Sequence, residues 1–184
     1  LTMKKIAACA LLAYVTATFL SNPAQGSETT PLPGTVLAGQ GTMRFFGLEV
    51  YQARLWVSPG FAPERYGDQP LALALTYQRN FTAQAIAKRS IEEMRRVAPF
   101  SAEQAERWQA ALQAALPDVK PGDTLTGIYR PGGGAVFRMG DKVVGEVADP
   151  EFARLFFGIW LSPNTSAPAL RQALLASRST AGSP

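Results

Sequence analysis

Arg44 stands beside two phenylalanines, Phe45 and Phe46, in a strand-like run, and Tyr51 and Trp56 lie on the run that follows. Tyr77 and Arg79 close another apolar run, just before a segment of helical periodicity. Guanidinium and phenol groups set in an apolar layer can hold a carboxylate or an enolate, the guanidinium through two parallel N–H bonds. Arg44, Tyr51, Tyr77 and Arg79 are therefore the candidate ligand contacts. In the competing reading, Arg44 and Arg79 are edge residues whose stems cover apolar surface while their heads reach water.

Other chemistries are excluded by what is missing. The 184 residues contain no histidine and one cysteine, Cys9. Ser-His-Asp and Cys-His catalysis, His-ligated metals, cysteine-rich zinc modules and an internal disulfide are all ruled out. Gly39-Gln40-Gly41 would need a glycine where Arg44 stands to be a dinucleotide fingerprint, and Gly132–Gly134 lacks the lysine of a phosphate loop. Both glycine groups read as hairpin material. Glu92, Glu93, Glu103 and Glu106 read as solvated residues on polar helix faces, and Asp149 as a helix cap. No catalytic residue is assigned, and neither metal nor cofactor is expected.

The elements that must position the four candidates follow from periodicity. Strands are expected at Thr35–Leu37, Met43–Phe46, Leu48–Val57 and Leu71–Tyr77, with a polar loop over Ala62–Gln69. Thr82 can cap a helix with Ile86, Ala87, Ser90, Met94 and Val97 on one face, and Pro99 stops it. Ser101-Ala102-Glu103-Gln104 spells a capping box for a second helix, which Pro117 ends. Pro121-Gly122 suits a tight turn into the strand Thr124–Tyr129, and a hairpin spans Ala135–Val147. Asp149-Pro150 opens an aromatic helix, Glu151–Leu161, and Ser166 is read as the cap of a last one, Ala167–Ala176. Strands, two helices, strands and two helices make an α+β fold, an antiparallel sheet with helices on one face.

The net charge of +4 owes two of its positive charges to Lys4 and Lys5, which head an apolar run from Ile6 to Leu20. Small residues follow at Ala24 and Gly26, the pattern of a cleavable secretory signal; the run is short for a membrane span. Residues 1–26 are thus read as a signal peptide, 27–33 as a flexible leader, 34–177 as one domain and 178–184 as a flexible tail. The remaining arginines are dispersed, not clustered and interleaved with aromatics, so no nucleic-acid partner is expected. The mature chain is expected in the periplasm, with no integral membrane segment.

Gly39–Gly41, Phe46–Trp56, Leu75–Arg79, Ser90 with Glu93–Arg95, Gly122–Gly127, Asp149–Leu161 and Ser166–Arg171 together resemble bacterial secreted chalcone isomerase-like proteins. The resemblance covers residues 35 to 176 in order. It implies an open-faced β-sandwich, a large antiparallel sheet under a helical layer, with a ligand cleft between. In that superfamily some members cyclise chalcones, holding a phenoxide with an arginine and stabilising an enolate with hydrogen-bond donors, while others bind fatty acids through an arginine and a tyrosine. Carried over, Arg44 falls at or next to the catalytic arginine, and Tyr51 stands where the enzymes have a threonine. Phe81, Gln84 and Lys88 replace a tyrosine, a lysine and an asparagine of the enolate site.

Three readings remain at this point: a periplasmic binder of a small amphipathic, fatty-acid-like carboxylate, an intramolecular lyase acting on a chalcone-like enone, and a structural or partner-binding protein without a small ligand. Fold alone does not choose among them. N-terminal sequencing of the exported protein should begin at or near Ser27; a mature form retaining Lys4, or lipid on Cys9, would overturn the export reading.

Overall fold

Apolar side chains at alternate positions give each strand one face to bury, and the three longer helices start where a side-chain oxygen takes up free backbone N–H groups. The computed structural model describes residues 30–176. The expected signal peptide, leader residues 27–29 and the tail 178–184 lie outside the described residues. In chain order come β1 (Val36–Phe45), β2 (Leu48–Val57), β3 (Leu71–Tyr77), α1 (Ala83–Val97), α2 (Ala102–Ala115), β4 (Thr124–Arg130), β5 (Gly134–Met139), β6 (Lys142–Val147), α3 (Pro150–Leu161) and α4 (Pro168–Leu175). The six strands lie side by side in sequence order, and every neighbouring pair is antiparallel. The helices form a layer over one face, and the main core lies between the two layers. This is the α+β fold expected from the element order, and the open-faced sandwich that the resemblance implies.

One cross-strand row decides how the layers meet. Gly39, Leu55, Leu73, Gly127, Phe137 and Gly145 lie opposite one another from β1 to β6, on the helix-facing side. A Cβ on Gly39 would lie 2.3 Å from the Ala173 carbonyl oxygen of α4, and one on Gly145 would lie 2.4 Å from the Ala115 carbonyl oxygen of α2. At Gly127 the space is taken by the Phe157 ring of α3. Three helices are thus seated where the sheet lacks side chains. Helix α1 is different: it packs chiefly on α2 and α3. It roofs the end of the sheet that carries Tyr51 and Tyr77, which face each other across β2 and β3.

Local chemistry sets the helix starts. The Thr82 hydroxyl accepts from the Ala85 N–H at 3.1 Å, and Ser101 and Gln104 form the reciprocal capping box. Asp149 has two tasks: one carboxylate oxygen accepts from the Phe152 N–H at 2.9 Å, the other from the buried Trp108 indole N–H at 2.7 Å. That carboxylate pins the start of α3 to the middle of α2.

The structure revises several details. The two expected strands Thr35–Leu37 and Met43–Phe46 are one continuous ten-residue strand, Val36–Phe45, because the glycines between them continue the ladder with β2; Thr35 precedes it and Phe46 falls in the turn that follows. The expected loop over Ala62–Gln69 contains a 3₁₀ turn, Pro63–Asp68, anchored by buried Tyr66, whose hydroxyl donates to the Arg154 carbonyl. Residues Pro31 and Leu32 of the expected leader are tied down. Leu32 packs on the sheet's second face with Trp56, Ala72, Ala74, Ile128 and Val136, and its carbonyl accepts from the Thr35 hydroxyl at 2.6 Å. Ser166 does not cap α4, whose first residue follows Ala167 and has no side-chain cap.

Three substitutions test this account by urea denaturation. Asp149→Ala should cost about 2–4 kcal/mol, the loss of a cap plus an orphaned buried indole N–H, against about 1 kcal/mol for Thr82→Ala. Equal losses in the two would mean that the Trp108 bond adds nothing. Gly39→Ala should cost about 1–3 kcal/mol by pushing α4 off the sheet.

Candidate functional site

Because α1 is not seated on the strands, a cavity of about 520 Å³ remains between it and the sheet. That volume falls within the range of small-ligand sites. Its apolar interior is made by Leu75, Leu116, Leu125 and Phe156, all buried, and its rim by exposed Phe45, Leu48, Arg79, Arg89 and Ser166.

Three of the four candidates line this cavity: Tyr51, Tyr77 and Arg79. Their rings and ladder positions bring the two tyrosines together, with ring centroids 5.9 Å apart. The Tyr51 hydroxyl accepts from the Trp160 indole N–H at 3.0 Å, a bond that joins β2 to α3. Burial pushes the Tyr51 hydroxyl up to about 12, against the lowering effect of the Trp160 bond, and nearby Glu93 adds to the rise. Tyr77 is also raised, first by burial and then by Tyr51. Both phenols stay neutral well past physiological pH and can act as donors there.

Arg44 is not among the lining residues. Met43 and Phe45 face the cavity, and successive strand residues point to opposite sides, so Arg44 points away. It forms an exposed ion pair with Glu49, its register partner on β2. The same parity sends Trp56 to the second face, five residues beyond Tyr51.

Sequence reasoning missed Glu93, Arg89, Ser90 and Trp160. Glu93, read as solvated, is 7% exposed and lines the cavity; its carboxylate is held by Arg89 at 2.5 Å and lies 3.7 Å from the Arg96 guanidinium. The signal was available: Ile86, Ser90 and Glu93 stand at i, i+4 and i+7, which is one helix face. Arg89 also approaches Glu92 at 3.3 Å, so two carboxylates share its charge. Arg79 has no ion pair among the described residues. Of the three positions where the resemblance implies enolate-site donors, only Phe81 lines the cavity, and it offers a ring. Among the described residues no group of side chains could hold a metal ion.

A profile of the chalcone isomerase-like family matches residues 18–176. An uncharacterized protein of Haemophilus influenzae is 30% identical over 126 residues, 68% of this chain and 60% of that protein. The chain thus spans about 60% of the length of the curated relative it matches. A crystal structure of an Arabidopsis thaliana fatty-acid binding protein superposes with a TM-score of 0.59 at 12% identity, covering 79% of this chain and 89% of that one. At that identity the likeness speaks for the fold alone. The profile match over most of the sequence, on a sheet and helical layer of the expected topology, assigns the chain to the chalcone isomerase-like family.

Proposed function

We propose that this protein binds an amphipathic long-chain carboxylate, with its chain among Leu75, Leu116, Leu125 and Phe156 and its head at the rim. The observation that carries this reading is the pairing of an apolar cavity of about 520 Å³ with a guanidinium, Arg79, that has no carboxylate partner among the described residues. A guanidinium cannot shed its charge and takes an anion or water. Arg89 is a weaker candidate for the head, since Glu92 and Glu93 already engage it. Tyr77, whose hydroxyl makes no hydrogen bond among the described residues, can donate to the same ligand. The solved fatty-acid binding neighbour supports the class of ligand through a shared fold. The basic and apolar N-terminal segment supports export to the periplasm, where such a carrier would act.

Isothermal titration with laurate tests the reading. Arg79→Ala should weaken binding about 10- to 100-fold, the loss of one charge-assisted contact. Arg44→Ala should leave it unchanged, because Arg44 faces away from the cavity. With Tyr51 and Tyr77 both neutral, affinity should be flat from neutral to mildly alkaline pH. Absence of uptake would reject the reading in favour of a protein without a small ligand, and efficient cyclisation of a 2′-hydroxychalcone would replace it with the lyase.

A further inference from the structure

Among the described residues, the large exposed apolar side chains are not scattered evenly. Phe45 (56% exposed), Phe46 (89%) and Leu48 (52%) crowd the turn between β1 and β2. The turn is a two-residue hairpin link, Phe46-Gly47, with positive φ at both positions, +48° and +78°. Such links favour Asn-Gly, because a residue with a side chain is strained in the left-handed region. Phe46 is the only non-glycine residue there among the described residues. Its ring packs edge-on against Phe45 at 4.5 Å, and both rings are exposed at the turn. Folding stability does not call for an aromatic ring at this position, since burial returns almost nothing at 89% exposure.

The tip is continuous with the cavity. Phe45 and Leu48 belong to its rim, as does Arg79, while Phe46 does not line it. We propose that the Phe46 hairpin docks the protein on a lipid bilayer, placing the rings among the acyl chains and the mouth of the cavity against the surface. Three arguments favour this occupant. The exposed tip is small: even counting roughly 150–250 Å² for each whole aromatic side chain, it falls short of the about 800 Å² each partner contributes to a stable protein interface. A bilayer needs no shaped counterpart and takes up an isolated apolar tip. Arg79, a cation on the same cavity rim as Phe45 and Leu48, complements the phosphates and anionic headgroups of such a surface. An amphipath that passes between bilayer and cavity would then cross little water. The inference extends the carboxylate-binding reading, but it is tested separately.

The test is flotation of the protein with vesicles of phosphatidylethanolamine and a minority of phosphatidylglycerol, comparing wild type, Phe46→Asn and Phe46→Trp. Phe46→Asn should lower vesicle association about tenfold or more, the effect of removing one inserted aromatic side chain. It should melt no lower than wild type, since asparagine tolerates the left-handed region, and should bind laurate in solution as well as wild type does. Phe46→Trp should retain vesicle association. Vesicle binding that is absent in wild type, or equal in Phe46→Asn, overturns the proposal whatever happens to laurate. A concentration-dependent dimer in sedimentation that disappears in Phe46→Asn also overturns it, by assigning the tip to a second copy. If vesicles bind in this pattern while laurate does not, the docking surface stands and the carboxylate reading falls.

Discussion

The close approach of helix backbone to sheet backbone at Gly39 and Gly145 is the contact on which the layering depends. Both glycines lie on the same cross-strand row, so α4 and α2 rest at comparable depth on opposite edges of the sheet, and α3 lies between them over Gly127. A rigid floor and three close-set helices leave the fourth, α1, to lean on its neighbours. The space under α1 is the site. Its position follows from side chains missing elsewhere on the sheet, at Gly39, Gly127 and Gly145, and none of these three glycines lines it.

Across that space runs one polar tie, from Trp160 on α3 to Tyr51 on β2. It satisfies an indole N–H that would be costly to leave unpaired at 7% exposure, and it holds the phenol to α3. Glu93 belongs to the same neighbourhood through its influence on Tyr51 and its grip on Arg89. The interior is thus apolar, with its polar groups gathered on the side nearest α1 and the rim. An amphipathic guest can satisfy both parts at once.

Much of the fold was legible because it is written locally. Thr82, Ser101 and Asp149 are caps within their own segments, and the alternation in Leu71–Tyr77 needs no distant partner to be seen. The glycines were read as hairpin material, and Gly39 does lie in a hairpin. Its other role, making room for α4, involves a residue more than 130 positions away and leaves no local trace. The site was legible only in part, for a related reason. Tyr51, Tyr77 and Arg79 stood out by type, whereas Arg44 required knowing which strand face points inward. Phe45 and Met43 answer that question once the cavity is in view. Glu93 was hidden by its neighbour: Glu92 and Glu93 are adjacent, and only the helical period separates a solvated carboxylate from a buried one.

The gap beneath α1 has a thermodynamic side as well. A packed interior gains dispersion energy from every wall it shares, and an empty one forfeits it. Here Ile86, Leu75, Leu125 and Phe156 turn apolar surface toward a space that the chain itself does not fill. The domain carries an incomplete core, and whatever enters the cavity completes it. A guest of the proposed kind would then be more than cargo: by binding the folded state alone it would become a conditional part of the interior, and the working stability of the protein would rise and fall with its supply.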